Sequence, residues 1–396
     1  MISSHKISAP FILTGNGEKL ESKVLILDES GLILSIEDLS AHDRSSVQMY
    51  DGFIIPGLIN THCHLELSHM KSKIPAGTGL INFISHVVKF RDIDQQIIDD
   101  AIVAGDKEMF ENGIQAVGDI CNKVDTANQK NRSPIAYYSF VEMFDFLNPA
   151  MTKLFTSQYK EVFDQQAADG INKKTMVPHA PYSVSQDLFD YLSEHTLANE
   201  TVSIHNQETP AENELFLNNS GSFLDFYEAM GMPINEFPTK GVNSIIYALA
   251  NMDPRRKTLL VHNTLTSAKD IEDTQDWSDH VYWATCPNAN LYIENRLPDY
   301  QLFIDKQCKM TIGTDSLSSN WQLSIWEEMK TIAKYKSYVD FDTLLEWATI
   351  NGAEALSYQD EMGSIEVGKR PGILHVNMNY DGPNTNIQNA KLARII

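Results

Sequence analysis

A histidine pair at the end of an apolar run is the first feature of this sequence that could do chemistry. His62 and His64 flank Cys63 and directly follow the apolar run 53–59. Side chains alternate along a strand, so the two imidazoles face one side and Cys63 faces away from them. Two imidazoles on one face can bind one metal ion. Two hydrogen-bonded core histidines would leave the same pattern, so the pair alone decides nothing.

Five further polar residues come at or just after the ends of strand-like runs: His179, His205, Glu208, His262 and Asp315. Glu208 lies three residues after His205, where a carboxylate could accept a proton from a metal-bound water. It would also suit the start of a helix, where acids are favoured. A single strand-end histidine or aspartate is often a satisfied structural group. Five separate strands that each end in a potential ligand or proton carrier together predict a metal site.

Other catalytic motifs are missing from the sequence. It contains no GxGxxG, no P-loop, no GxSxG elbow and no HExxH. The segment 64–66 matches the first half of the HxE…PCxxC motif of the small nucleobase deaminases, but the chain has no CxxC pair. Any deamination by this chain therefore needs a different scaffold.

Eight apolar strand-like runs would position these residues: Ile54–His62, Gln115–Ile120, Ile135–Phe144, Thr175–His179, Thr201–His205, Thr258–His262, Val281–Cys286 and Met310–Thr314. Helical patterns lie between most of them, for instance at Gln186–Leu197, Glu212–Met230, Leu323–Tyr335 and Asp342–Leu356. The alternation predicts an α/β fold, either a (β/α)8 TIM barrel or an open doubly wound sheet. Polar residues at the C-terminal strand ends favour the barrel, because active sites lie on that rim.

Both ends of the chain carry short strand-like runs separated by glycines. These runs are Ile7–Thr14, Val24–Asp28 and Ile33–Glu37 at one end, and 363–369 and Ile373–Asn377 at the other. We expect the two ends to pair into one small β-sandwich-like domain. The predicted organisation is therefore 1–52 and 359–396 in the small domain, and 53–358 in a barrel that carries the predicted metal site.

The composition limits the classes of partner and the cellular location that we expect for this protein. The 396 residues carry a net charge of −22, which argues against a nucleic-acid partner and against an anionic membrane surface. The segment 1–11 has no signal-peptide apolar region, and no stretch approaches the ~20 apolar residues of a membrane span. Four scattered cysteines indicate a reducing, cytoplasmic location. A homodimer is left open.

Taken together, these segments resemble the amidohydrolase superfamily, in particular its mononuclear deaminase and chlorohydrolase branch. The matching segments follow the family's order: 56–64, 178–183, 205–208, 261–262, 286–291 and 313–315. The tail 363–369 matches the family's return into its small β domain, whereas 370–373 depart from the usual Ala-Asp-Leu-Val type of continuation. The resemblance covers most of the chain.

The resemblance implies a ligand set for one divalent metal ion, Zn²⁺ or alternatively Fe²⁺. The implied ligands are His62, His64, His205 and Asp315. Dinuclear relatives need a bridging carboxylated lysine at the end of the fourth strand. That strand ends here in His179, which favours one metal ion.

The resemblance also implies the catalytic roles. Glu208 would be the proton shuttle, His262 would hydrogen-bond the metal-bound water or the developing alkoxide, and Asp315 would receive a proton. His179 would contact the substrate. Glu66 has the parity of the histidine pair and could either face the pocket or be a loop acid; Glu142, at the end of the third strand, is a similar candidate.

The segments 64–68 and 313–320 are most similar to aminofutalosine deaminases, which act on 6-amino-6-deoxyfutalosine on a route to menaquinone. The implied reaction is hydrolytic deamination of an aminated purine-type ring in a small-molecule substrate, with metal-bound hydroxide attacking the amidine carbon and ammonia leaving. Hydrolysis of another C–N or C–Cl bond, as in a chlorohydrolase or cyclic amidohydrolase, shares every metal residue and stays open. A non-catalytic barrel scaffold agrees less well with a complete ligand set.

Overall fold

The secondary structure comes from a computed structural model that describes residues 4–168, 170–234 and 241–396. Its strands are β1 Ser4–Ser8, β2 Phe11–Leu13, β3 Lys19–Glu21, β4 Lys23–Asp28, β5 Ile33–Asp38, β6 Gln48–Met49, β7 Phe53–Pro56, β8 Leu58–Cys63, β9 Ile114–Cys121, β10 Ala136–Met143, β11 Lys173–Pro178, β12 Thr201–Asn206, β13 Lys257–His262, β14 Val281–Thr285, β15 Met310–Ile312, β16 Ile373–Val376 and β17 Leu392–Arg394.

The α-helices are α1 Leu80–Phe90, α2 Gln95–Glu111, α3 Ala127–Lys130, α4 Pro149–Gln165, α5 Gln186–His195, α6 Pro210–Asn218, α7 Ser222–Ala229, α8 Ser244–Asn251, α9 Ala268–Trp277, α10 Pro287–Glu294, α11 Tyr300–Asp305, α12 Ile325–Tyr335, α13 Phe341–Ala348 and α14 Ile350–Ala355. Short 3-10 helices are Leu39–Ala41, Arg44–Ser46, Leu65–Met70, Pro181–Ser183 and Ile387–Asn389.

Two parallel four-stranded sheets form the centre of the structure. One has the order β11-β10-β9-β8 and the other β12-β13-β14-β15, and every pairing within them is parallel. All residues of β8, β10 and β12 are buried, as expected of parallel strands covered on both faces. The predicted mixed α/β architecture of strands alternating with helices is confirmed.

Backbone hydrogen bonds connect the two sheets at both pairs of edges. The His205 amide donates to the His179 carbonyl at 3.0 Å, and the Thr314 amide donates to the His62 carbonyl at 3.0 Å. The second contact requires a glycine, because a Cβ on Gly313 would lie 2.8 Å from the His62 Cβ. The C-terminal ends of β8, β11, β12 and β15 therefore meet in one region.

Two smaller sheets are built from the remaining strands. One has the order β5-β4-β1-β6, and the other, β17-β16-β7-β2-β3, joins strands from both ends of the chain. Within the second sheet β7 pairs with β2 and β16. The predicted strand Ile54–His62 is therefore wrong as one element: it breaks at Gly57, whose amide donates to the Pro371 and Gly372 carbonyls.

Local backbone chemistry splits other predicted elements. The helix predicted over Glu212–Met230 breaks after α6, because Asn219 and Gly221 have φ values of 50° and 97°. The helix predicted over Asp342–Leu356 breaks at Thr349, which has φ −130° and ψ −93°. The strand predicted over Ile7–Thr14 is interrupted at Pro10, which lacks the amide hydrogen that a ladder needs.

Amphipathic helices cover the parallel sheets. In α12 the buried residues Ile325, Met329 and Ile332 lie on one face, and the Ser324 side chain caps the start by accepting from the Glu327 amide. None of the helices in the described ranges combines the length and the apolarity that a membrane crossing needs.

A buried ion pair supports the segment that follows His64. Lys130 Nζ lies 2.6 Å from Asp119 Oδ2, and both side chains are at most 1% exposed. The other Asp119 oxygen accepts from the Leu65 amide at 2.8 Å, and Lys130 also donates to Ser139 Oγ. The pair thus holds the backbone immediately after one of the predicted metal ligands.

Lys130→Met should lower the free energy of unfolding by about 3–5 kcal/mol, because it leaves the Asp119 carboxylate buried without its cation. Equilibrium urea unfolding measures the change. Lys107→Met is the matched control, since Lys107 pairs with Glu111 on the surface of α2 and exposed pairs contribute little. Equal losses in the two variants would contradict the assigned role of the buried pair.

Candidate active site

The predicted site residues come together at the C-terminal ends of the parallel strands. The ends are sharply bent: His262, Asn263 and Asp315 have φ values of 76°, 58° and 58°, and Gln207 has 48°. Residues other than glycine rarely adopt positive φ, and such residues cluster at functional sites. These bends turn polar side chains over the strand ends.

Three histidines and one aspartate point at a common centre. His64 Nε2 lies 3.3 Å from His205 Nε2. Asp315 Oδ1 lies 3.5 Å from His64 Nε2 and 3.8 Å from His62 Nε2. The three histidine donor atoms lie within 4.8 Å of one another. The predicted ligand set therefore converges, and both members of the histidine pair face the same way.

The donors fit a divalent metal ion. Both ring nitrogens of His62 are buried without a hydrogen-bond partner. His205 donates through Nδ1 to the His179 carbonyl at 2.7 Å, which leaves its Nε2 unprotonated and able to bind a metal ion. Two nitrogens at ~2.0–2.1 Å from a tetrahedral ion would lie roughly 3.3 Å apart, close to the separation of the His64 and His205 nitrogens. Burial lowers the pKa values of His62 and His205 well below the ordinary range, so both rings are neutral, as ligands must be.

A second donor group shares His205 with the first. It consists of Glu142, His179 and His205. Its Glu142 Oε2 and His179 Nε2 lie 3.9 Å apart. The first group is the better metal site, because it adds a fourth donor, Asp315, and contains the partnerless His62 ring. Ser319 Oγ donates to Asp315 Oδ2 at 2.7 Å and so turns Oδ1 towards the histidines.

Glu208 and His262 form a close acid–imidazole pair beside the predicted metal ligands. Glu208 Oε1 lies 3.2 Å from His262 Nε2. Burial, together with the Asp315 and Glu294 carboxylates, raises the pKa of Glu208 to about 8. His262 Nδ1 bonds to Asn290 Oδ1 at 2.9 Å, so Nε2 accepts from Glu208 when that carboxyl is protonated. A carboxyl with a pKa near neutrality suits general acid–base chemistry.

The sequence reasoning missed the residues that hold Glu208 in place. The buried Glu212 carboxylate accepts from the Gln207 and Glu208 amides at 3.0 and 3.1 Å. The Thr264 hydroxyl, two residues after His262, donates to the Gln207 and Glu208 carbonyls. The spacing of Glu212 four residues after Glu208, at the start of α6, was the available signal.

The predicted substrate contacts line one cavity of about 340 Å³, to which the predicted metal ligands His64, His205 and Asp315 also contribute. This volume is in the range of small-molecule sites. His179, Glu66 and Glu142 lie on its polar wall, together with Arg91 and Asn122. Glu66 already accepts from Arg91 at 2.6 Å and from two backbone amides at 3.1 Å. Arg91 and Asn122 were not predicted, because neither belongs to a strand-end motif.

Apolar side chains form the roof of the cavity. They come from α1 and from the region of α7: Leu80, Phe83, Ile84, Val87, Phe226 and Met230. Phe144 lines the cavity and packs edge-on against His179 at 5.5 Å. Trp321 lies outside the lining, half exposed against Tyr292.

Other rim residues have structural partners. Asn288 and Asn320 both donate to the buried Glu328 carboxylate. Cys63 is buried in the apolar core, and its pKa is raised well above the ordinary value by burial. The thiol therefore stays protonated and takes no part in the metal cluster, as the alternation of side chains along β8 predicts.

Comparison with known proteins defines the class of this protein. The model of the amidohydrolase family matches residues 53–395, and the chain belongs to this family. An adenosine deaminase of Helicobacter pylori is 27% identical over 380 residues, which cover 92% of this chain and 89% of that protein. An aminodeoxyfutalosine deaminase of a Nitratiruptor species is 26% identical over 381 residues, again 92% and 89% of the two chains.

A solved structure shows the same fold. The crystal structure of Helicobacter pylori aminofutalosine deaminase in complex with methylthio-coformycin has a TM-score of 0.81 to this chain at 23% identity, and the match covers 98% of this chain and 97% of the other.

His62→Ala should lose most of its metal, because it removes one of four converging donors. Metal content per chain, measured by inductively coupled plasma mass spectrometry after dialysis, tests this. His195→Ala is the control, since His195 is exposed at the end of α5 and should leave the metal content unchanged. A His62→Ala protein that keeps one metal ion per chain would show that the ligand set is wrong.

Proposed function

We propose that this chain is a metal-dependent hydrolase that deaminates an aminated purine-type ring. The carrying observation is the position of the Glu208–His262 pair, 3.2 Å apart, beside four converging metal donors at the floor of a small-molecule cavity. Two relatives that span most of the chain are an adenosine deaminase and an aminodeoxyfutalosine deaminase. The substrate is accordingly a small molecule, 6-amino-6-deoxyfutalosine or another adenosine derivative.

The two parallel sheets close, on this proposal, into one (β/α)8 barrel with the site on its C-terminal rim. The backbone bonds at both pairs of sheet edges support the closure. The barrel takes up 53–358, and the chain ends 1–52 and 359–396 form the small β domain. Because β7 pairs with β2 and β16, we assign its residues Phe53–Pro56 to the small domain.

One Zn²⁺ ion is the proposed cofactor, with Fe²⁺ as the alternative, held by His62, His64, His205 and Asp315. Neutral imidazoles and a carboxylate are donors that Zn²⁺ accepts readily. When bound, the ion supplies a Lewis acid that acidifies the attacking water.

The residues of the chain move the protons. Glu208 takes a proton from the attacking water and delivers it to the ring nitrogen next to the amidine carbon. A bond forms between the water oxygen and that carbon. His262, held by Asn290 through its Nδ1–H, accepts a hydrogen bond from the attacking water at Nε2 and so orients the water towards the amidine carbon. Asp315 receives the second proton and passes it to the amino group, the C–N bond breaks, and ammonia leaves with a lactam product.

The expected setting follows from the proposed substrate and the composition. Aminodeoxyfutalosine deamination would place the chain on a route to menaquinone, in the cytoplasm. The net charge of −22 supports a protein without nucleic-acid or membrane partners. A homodimer is compatible with these features.

A substrate panel tests the reaction. Ammonia release and the ultraviolet shift to an inosine-like spectrum should appear with at least one of adenosine, 5′-deoxyadenosine, methylthioadenosine, adenosylhomocysteine and 6-amino-6-deoxyfutalosine. Guanine, cytosine and a chlorinated triazine complete the panel. Chloride release without ammonia would overturn the proposal in favour of a chlorohydrolase.

Glu208→Gln should keep its metal and lose roughly 10²- to 10⁴-fold in turnover, because the amide can no longer carry the proton. Steady-state ammonia release and metal content are measured on the same preparations. Glu194→Gln, on the exposed face of α5, is the matched control and should retain full turnover. A fully active Glu208→Gln protein would refute the shuttle assignment.

A further inference from the structure

One carboxylate oxygen on the polar wall of the cavity has no partner. Glu142, at the end of β10, is 4% exposed, and its Oε2 is buried without a hydrogen bond. The nearest basic group, His179 Nε2, lies 3.9 Å away, which is beyond hydrogen-bond distance. Glu142 also lines the cavity. The unpaired acceptor therefore belongs to the site and lies next to the metal ligands.

A chain of hydrogen bonds holds this oxygen in place. Asn122 Nδ2 donates to Glu142 Oε1 at 2.8 Å, so only Oε2 remains free. The Asn122 amide cannot turn round, because its Oδ1 accepts from Arg91 at 3.0 Å. Arg91 in turn donates to Glu66, and Glu66 also accepts a hydrogen bond from the backbone amide of Asn122. Glu66 thus holds Arg91 and Asn122 in position, and both of its carboxylate oxygens already accept hydrogen bonds.

Chemistry limits what a ligand can offer to Glu142. A buried carboxylate oxygen without a donor costs free energy, so a ligand that supplies an O–H or N–H group there gains affinity. An adenine-type ring carries no N–H donor apart from the amino group that reacts. The donor must then come from the group attached to the ring, and in a nucleoside this is a hydroxyl of the sugar.

We propose that Glu142 accepts a hydrogen bond from a sugar hydroxyl of the substrate, with Asn122 as its positioning residue. The inference rests on the proposed function, since it takes the substrate to be a nucleoside. This hydrogen bond would make the protein select its substrate by the sugar hydroxyls as well as by the ring. A site built around such a bond rejects analogues that lack the hydroxyl.

Sugar analogues combined with a variant test the contact directly. The wild-type protein should act on 2′-deoxyadenosine or 3′-deoxyadenosine at least about 10-fold less efficiently, in kcat/KM, than on adenosine, because the analogue leaves Oε2 unpaired. In Glu142→Leu, which removes both oxygens at similar volume, this preference should fall to near one. Glu142→Gln keeps the Asn122 bond and replaces the charge-assisted bond from the sugar hydroxyl with a weaker neutral one, so it should reduce the preference. This variant keeps the test available if the leucine variant fails to fold.

Two further variants separate the contact from general effects. Asp164→Asn changes an exposed carboxylate of α4 that is paired with Lys160 and lies outside the cavity lining, and it should leave the preference unchanged. Asn122→Ala should weaken the preference and raise KM more than it lowers kcat, with the metal content of the wild type.

The outcomes distinguish the two proposals. Ammonia release from all three nucleosides with equal efficiency, or a preference that survives in Glu142→Leu and Glu142→Gln, would overturn the role of Glu142 alone. No ammonia from any of the five nucleosides of the substrate panel by the metal-loaded protein would overturn the proposed function, and the role of Glu142 would fall with it.

Discussion

Burial of neutral imidazoles around one aspartate is the constraint on which the rest of the site depends. His62 has two ring nitrogens without partners in the interior, and such groups are costly unless something binds them. The low pKa values of His62 and His205, caused first by burial, keep the rings available as ligands. The same burial raises the pKa of Glu208 to about 8. One physical cause therefore prepares both the proposed metal ligands and the proposed proton carrier.

The surrounding structure stabilises this arrangement through hydrogen bonds from the neighbouring elements. Glu212 and Thr264 clamp the backbone that carries Glu208, and Ser319 orients Asp315. Asp119 accepts from the amide that follows His64, and Lys130 balances its charge in the core. The strained positive-φ residues persist at the strand ends because such contacts over-determine their positions.

Much of the fold could be predicted because its cause is local. Apolar runs, glycines and strand-end polar residues identified the eight parallel strands to within two residues at every end except the start of the first. The first predicted strand was too long. It combined β7 and β8, which are alike in composition but pair with strands of different sheets. The breaks at Asn219 and Thr349 escaped prediction as well, because a helical pattern continues across both positions while the backbone turns.

For the site, the alternation of side chains along β8 was enough to place His62 and His64 on one face and Cys63 on the other. The order of motifs was enough to propose His205, Glu208, His262 and Asp315 as their partners. Only the tertiary structure decided which acids are free: it pairs Glu66 with Arg91, 25 residues away, and leaves Glu142 Oε2 open beside Asn122. A carboxylate in a sequence has no assigned partner, because its hydrogen bonds come from elements that approach it only when the chain folds.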